Sequence, residues 1–367
     1  MRLLEFGKRV KSAEECGCGF KHDKTLKAVI FGPLTEALKH LERFGLNPPY
    51  AVFSDKITYE VAGRIVQEEL DAKLLLVKSP TFQESEKKAR ELGDVRTLIA
   101  VGGGTVIDVA KYAAYLSGAD FVSIPTAPSH DGIVSPITSL FTENRRKSIL
   151  TRAPSLAIVD LSVLTSVPRE LIASGYGDIL AKIVSLKDWQ LGRDELGEAY
   201  CKTAEELILE AIELAIDSLD LKAETEEKVA RLIKALINCG VAMMIVGSSR
   251  PASGSEHLIS HYLDMNLEKK LRHGIQCAIG ALAMAAYHEL RNPNWWKNEK
   301  YRLEALREYV LKAGIPTRLE GAGIPMEVMI NAITDSWRIR PQRYTILHKF
   351  KPDRREALQI LKTAGLA

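Results

Sequence analysis

The sequence predicts an α/β plus all-α protein: an N-terminal Rossmann-like unit with a parallel sheet, then a helical unit, with an active site in the cleft between them. Three observations carry this. Short apolar runs alternate with amphipathic segments through the first part of the chain. A glycine turn, "VGGGTVID", joins one of those runs directly to a helix. Beyond "TSVPREL" the strand patterns nearly vanish and long amphipathic helices follow. Alternating strand and helix patterns build a parallel sheet covered on both faces.

The elements follow in order. "KAVIF" (Lys27–Phe31) is the first strand, and "PLTEALKHLERFG" has apolar residues at helical spacing and stops at Gly45. "YAVFSD" and "ITYEVAGRIVQEEL" form the next strand and helix, and "KLLLV" and "TFQESEKKARELG" the third pair. "TLIAV" runs into "GGGTVIDVAKYAAYLSG", and "DFVSIPT" closes the alternation. "SPITSLFTENRRKSIL" has a charged middle between β-prone segments, the pattern of a hairpin or flap, and "SLAIVD" reads as one more strand. Four long helices then follow: "AEELILEAIELAIDSL", "EEKVARLIKALINCGVAMMIV", "GIQCAIGALAMAAYHEL" and "KYRLEALREYVLKAG". The domain boundary is placed near residue 167, giving units 1–166 and 167–367.

Bulk composition narrows the function. The 367 residues are 46% hydrophobic and 26% charged, ordinary for a globular protein. A net charge of +3 is too small to imply a nucleic-acid partner. No apolar run reaches the roughly 18 residues that span a bilayer, and "VAMMIVG" reads as a buried helix segment. The N-terminus lacks the pattern of a signal peptide. Five cysteines in a chain of this length do not make a disulfide framework. The expectation is a cytoplasmic protein with no membrane span.

Three loops leave the carboxyl ends of predicted strands, where ligands of parallel sheets bind. In the first, Gly102, Gly103 and Gly104 let the backbone turn sharply and approach a ligand closely. The free N–H groups of the helix start that follows, through Thr105, Val106 and Asp108, suit a pyrophosphate. Alone, such a turn is equally compatible with a plain connection, and GxGxxG is absent. The second loop carries Asp55, placed as an acid that binds ribose hydroxyls. The third, "PTAPSHDGIVSP", carries hydroxyls, prolines and Asp131.

The helical half offers metal ligands. Asp178 follows two glycines in "SGYGDILAK", at an expected helix start; His257 lies 79 residues on and His273 a further 16. One carboxylate and two imidazoles suit a divalent ion with a position left open. Zinc is the natural choice, and nickel and iron also accept such ligands. His261 is one helical turn from His257 and shares its face. Zinc proteases use the same histidine spacing with a glutamate after the first histidine, where this chain has Leu258.

The order GGG-T-x-x-D, PT-x-x-S-x-D, G-x-G-D and two separated histidines resembles the metal-dependent polyol dehydrogenases. That superfamily includes glycerol dehydrogenase, the iron-dependent alcohol dehydrogenases and dehydroquinate synthase. Within it, "IPTAPSHDGIVSP", "SGYGDILAKIVSLKDWQL", "SSRPASGSEHLISHYLD" and "LRHG" are most similar to the sn-glycerol-1-phosphate dehydrogenases. His130 departs from that pattern, where a smaller polar residue is expected. The resemblance implies reduction of dihydroxyacetone phosphate to sn-glycerol 1-phosphate by NADH or NADPH, the first step of an archaeal-type phospholipid backbone, in a homo-oligomer. It implies pyrophosphate at Gly102–Asp108, and nicotinamide along Thr126, Ala127, Pro128, Ser129 and Ser135. Substrate contacts fall to Asp131, Asp178 and His261, and one Zn²⁺ per chain to Asp178, His257 and His273. Arg250 and Lys182, beside these motifs, are the candidates for the substrate phosphate.

Two alternatives stand beside this reading. One is a glycerol or other polyol dehydrogenase on the same scaffold, separated by whether the substrate needs its phosphate. The other is a nucleotide-binding regulatory protein without turnover. A structural zinc protein predicts a closed four-ligand site. Cys16, Cys18 and His22 could suggest a second metal site, but two more convincing ligands are missing.

Overall fold

Nine strands are described in a computed structural model covering residues 2–5, 16–143, 146–222 and 225–367. They are β1 (Arg2–Glu5), β2 (Ala28–Phe31), β3 (Tyr50–Ser54), β4 (Lys73–Leu76), β5 (Thr97–Gly102), β6 (Asp120–Pro125), β7 (Ile137–Phe141), β8 (Arg146–Leu150) and β9 (Leu156–Val159). Seven form one sheet in the order β1-β2-β9-β6-β5-β3-β4. Only the β1–β2 pair is antiparallel. The expected hairpin is a separate antiparallel pair, β7–β8. β1 was not expected, since only Leu3 and Leu4 of its four residues are apolar.

The parallel strands read as continuous apolar runs because both faces are covered. In β5, Leu98 and Ala100 join a core shared with the helical half, whereas Ile99 and Val101 join a smaller core on the opposite face. Chain order explains the ligand crevice. From β3 the chain moves outward to β4; from β5 it moves the other way, through β6 to β9. The reversal lies between β3 and β5, where open α/β sheets bind ligands beyond their carboxyl ends. Ser54 Oγ, at the end of β3, donates to Val101 O (2.9 Å) at the end of β5 and ties the two edges together.

The helices of the first half are α1 (Leu34–Leu38), α2 (Lys56–Thr58), α3 (Arg64–Leu70), α4 (Phe82–Glu91) and α5 (Gly104–Ser117). From residue 161 onward every described element is helical: α6 (Leu161–Thr165), α7 (Arg169–Leu180), α8 (Lys182–Leu196), α9 (Lys202–Asp220), α10 (Thr225–Val246), α11 (Ser255–Asn266), α12 (His273–Arg291), α13 (Leu303–Lys312), α14 (Leu319–Ala322), α15 (Met326–Asp335), α16 (Ile346–Phe350) and α17 (Arg354–Thr363). α10 has the length and composition to cross a membrane, but 83% of its most apolar window is buried inside the protein. It contains "VAMMIVG" up to Val246, so the short apolar run is the end of a 22-residue core helix.

Candidate active site

The metal-ligand candidates meet through three glycines. Asp178 lies in the last turn of α7, not at a helix start as expected, because helix already begins at Arg169. A Cβ at Gly175 would stand 1.9 Å from Pro128 O, and one at Gly177 2.3 Å from Gly274 O. A Cβ at Gly274 would stand 1.7 Å from Ser174 O. Backbone therefore touches backbone where α7 passes the 126–131 loop and the start of α12. Ser174 fastens the junction: its Oγ donates to Ser129 O (3.1 Å) and accepts from Gly274 N–H (3.2 Å).

This approach brings Asp178, His257, His273 and also Cys277 together, with ligand atoms all within 4.8 Å of one another. His257 Nε2 lies 3.7 Å from Asp178 Oδ1. A tetrahedral zinc with N and O ligands at about 2.0–2.2 Å has an edge of about 3.4 Å, so the pair is close to a ligating geometry. Glu256 Oε1 accepts from Gly254 N–H (2.9 Å) and from His257 Nδ1 (2.6 Å), which leaves His257 Nε2 for the metal. Burial holds the imidazoles neutral, the ligating form: the pKa of His257 falls to about 3, and those of His261 and His273 fall well below the ordinary value. Burial and then the Asp178 carboxylate push the Cys277 thiol well up, which disfavours the thiolate a metal takes. Asp178, His257 and His273 are thus the stronger donors.

Below them lies a buried ion triad. Lys182 Nζ sits 2.7 Å from Asp178 Oδ1 and 2.8 Å from Asp131 Oδ2. Asp131 N–H donates to Asp178 Oδ2 (2.9 Å). Burial opposes ionisation of Asp178, but Lys182 and His257 outweigh it and keep its pKa below the ordinary value. Lys182 is fully buried. Arg250 is also buried, with its guanidinium on Glu198, Asp188 O and Tyr344 O. Neither of these two phosphate candidates from the sequence is among the residues that line the adjoining cavities.

Two cavities, of about 90 and 260 Å³, share Asp108, His130, Ser139, Arg146 and His273 as walls. The first also holds Asp131, Ser135, His257, His261 and Arg340; the second holds Gly104, Thr105, Ser129 and Arg272. Gly103 caps α5 without a side-chain hydrogen bond, so no side chain satisfies the N–H groups that follow. Gly102 must lack a Cβ because Val106 lies 2.5 Å from where it would be, and Val106 itself is fully buried. Thr126 N–H donates to Gly102 O (3.1 Å), and Ala127 is buried beside it. Ser135 Oγ donates to Ile137 O (3.4 Å). The Asp108 carboxylate accepts from Ser139 N–H (3.2 Å) and Lys111 (3.3 Å), anchoring the hairpin. Asp55 caps α2, accepting from Ile57 and Thr58 N–H. His130 sits over Gly104, and its Nδ1 accepts from Gly132 N–H (2.9 Å).

Sequence reasoning missed three residues here. Cys277 is four positions after His273 on one helix, a spacing that would have found it. Glu256 directly precedes His257. Arg340 had no local signal; it follows the short turn Ser336–Ile339 and pairs with no carboxylate among the described residues.

The comparisons with known proteins can be set against this geometry. Residues 31–168 match the family model described as iron-containing alcohol dehydrogenase. The glycerol-1-phosphate dehydrogenase (NAD(P)+) of Pyrococcus furiosus is 38% identical over 349 residues, 93% of this chain and 98% of that one. The enzyme of the same name from Sulfurisphaera tokodaii is 42% identical over 254 residues, 69% of each chain. Among solved structures, glycerol dehydrogenase from Schizosaccharomyces pombe superposes with a TM-score of 0.74 at 19% identity, covering 92% of this chain and 88% of that one. At that identity the superposition shows the fold alone. On the strength of the near full-length relatives, the chain belongs to the glycerol-1-phosphate dehydrogenase (NAD(P)+) family and is an oxidoreductase.

Proposed function

We propose that this enzyme reduces dihydroxyacetone phosphate to sn-glycerol 1-phosphate with NADH or NADPH. The observation that carries the reading is the meeting of Asp178, His257 and His273 beside a cavity whose lining also holds a guanidinium with no carboxylate partner among the described residues, Arg340. The N–H groups at the start of α5 take the pyrophosphate. Asp55, between β3 and β5, takes ribose through the carboxylate oxygen that does not cap α2. Thr126–Ser129 and Ser135 line the nicotinamide side. Asp178, His257 and His273 are suited to hold a Zn²⁺ ion, which would polarise the ketone as a Lewis acid.

The chain's own groups do the rest. Hydride passes from C4 of the nicotinamide to the ketone carbon, and the ketone oxygen must then gain a proton. Water supplies that proton, and His261, neutral in the cavity wall, is placed to donate a hydrogen bond from a ring N–H to the same oxygen. Asp131, fixed by Lys182, accepts from a substrate hydroxyl. Arg340 and Arg146 face the phosphate. Arg340 is partly buried without a counter-ion, and burial lowers its pKa, so an anion beside it is favoured.

The test follows NADH absorbance with dihydroxyacetone phosphate and assigns the product enantiomer. Oxidation of NADH with release of sn-glycerol 1-phosphate supports the reading. Equal turnover of unphosphorylated dihydroxyacetone would instead make the enzyme a polyol dehydrogenase.

A further inference from the structure

Cys16, Cys18 and His22 meet a fourth donor from the other half of the chain. Cys201, at the N-cap of α9, lies with its Sγ 3.7 Å from Cys16 Sγ and 3.5 Å from His22 Nε2. Cys18 Sγ lies 3.1 Å from the same His22 nitrogen. All four ligand atoms fall within 4.8 Å of one another. Cys201 and His22 are buried, and the other two cysteines are half-buried.

The distances discriminate between fates for these groups. A disulfide needs sulfurs about 2.0 Å apart, far shorter than the Cys16–Cys201 separation. A tetrahedral zinc with Zn–S about 2.3 Å and Zn–N about 2.0–2.1 Å has S···S edges of about 3.8 Å and S···N edges of about 3.6 Å. Two of the three closest separations match those edges to within about 0.1 Å, and the third is about 0.5 Å short. Gly17 and Gly19 have φ of +62° and +77°, so glycine lets the short loop curl its side chains inward. Thr203 Oγ1 donates to Cys16 Sγ (3.3 Å), a hydrogen bond that favours the ligating thiolate.

We infer that Cys16, Cys18, His22 and Cys201 form a closed structural zinc site, separate from the Asp178–His257–His273 cluster. Four protein donors leave no position for substrate, so the ion is a staple and not a catalyst. It fastens the segment that leads into β2 to the start of α9, joining residues 185 apart in sequence. Binding displaces the thiol protons to solvent and links the folding of this segment to the ion.

Zinc content of the full-length enzyme tests this. The wild-type chain should carry about two zinc ions and the C16S/C18S variant about one, with NADH oxidation retained. Cobalt-substituted wild type should show a near-ultraviolet thiolate-to-cobalt band that C16S/C18S lacks. Should C16S/C18S fail to fold, H257A/C277S serves, since it removes the other cluster: it should keep about one zinc and the thiolate band. Equal zinc content in wild type and C16S/C18S, or absence of the band from H257A/C277S, would overturn the inference. So would three reactive thiols, instead of all five, in protein denatured with chelator and without reductant, because that result means a disulfide.

Discussion

Replacing Gly274 with alanine asks whether the contact between α7 and α12 sets the metal geometry. The new Cβ would lie 1.7 Å from Ser174 O, 2.6 Å from Ser174 C and 2.9 Å from Asp178 N. All three are backbone atoms, so no side chain can swing aside. Ordinary contact begins near 3.4 Å, so the two helices must part locally by about 1.7 Å. Gly274 is the neighbour of His273, and Asp178 lies on the helix being pushed away. Metal sites hold ligand distances to about ±0.2 Å, so the displacement exceeds that tolerance several-fold. Overpacking should cost about 1–3 kcal/mol of stability, more than the helix preference of alanine returns. Zinc affinity should fall by at least about 10- to 100-fold, the range seen when a ligand loses its support. The assay strips the enzyme with chelator and finds the zinc concentration that restores half of the NADH oxidation rate. This readout reports the catalytic ion alone. Gly321→Ala, where a Cβ meets nothing closer than 3.4 Å, is the control. A folded G274A enzyme with wild-type turnover and wild-type half-activating zinc would refute the argument.

Three other perturbations probe different parts. Arg340→Ala should lower kcat/KM for dihydroxyacetone phosphate by about 10- to 150-fold, the loss of one charge-assisted contact, and leave turnover of unphosphorylated dihydroxyacetone nearly unchanged; equal losses on both substrates would remove Arg340 from the phosphate. His261→Ala should lower kcat by about 10²- to 10³-fold with zinc content unaltered, the loss of one hydrogen bond to the developing oxyanion, and an unchanged kcat would exclude that contact. Asp188→Ala removes the buried acceptor of Ser255 N–H (2.6 Å) and Ile346 N–H (2.7 Å), whose carboxylate also lies 3.3 Å from His288 Nε2, and should cost about 3–5 kcal/mol in urea unfolding at neutral pH. Burial opposes ionisation of Asp188, but His288 and Ser255 outweigh it and hold its pKa below the ordinary value. Its contribution is therefore present above the unfolded carboxylate pKa and lost as pH falls through the lower folded one, so Asp188→Asn should flatten the acid limb of the stability curve.

The parallel strands were legible because burial on both faces leaves a near-continuous apolar run, unbroken from Leu98 to Val101 in β5 and interrupted only at Ser123 inside β6. β1 escaped because Arg2 and Glu5 leave only two apolar residues in its run. Asp178 was found by its motif but placed wrongly within it. Glycines before an acid read as a helix start, whereas here they are close-packing positions inside α7. Lys182 and Arg250 were read as phosphate partners because charge beside a site motif looks the same whether it faces substrate or framework. Only the fold shows Lys182 between two carboxylates and Arg250 on Glu198. The second cluster shows the same limit in reverse. Three of its donors lie within seven residues, but the fourth is Cys201, and no local spacing reaches across that distance.

His257 and His261 share a helix, a face and a spacing of one turn, yet the structure gives them different chemistry. Glu256, turned back beside Gly254 N–H, receives His257 Nδ1 and aims the other ring nitrogen at Asp178. His261 stands in the cavity wall, where burial and then Arg340 depress its pKa most. A ligand needs one nitrogen pinned and the other free of protons, and His257 has that arrangement. A hydrogen-bond donor to substrate needs a place on the cavity wall, and His261 lines that wall. A protease with the same spacing uses a glutamate after the first histidine to activate water. Here the glutamate comes before it, is buried, and has its pKa raised to about 8 by burial and then by Asp188. Placed there, it fixes the His257 ring through Nδ1 and does not stand where the protease glutamate stands.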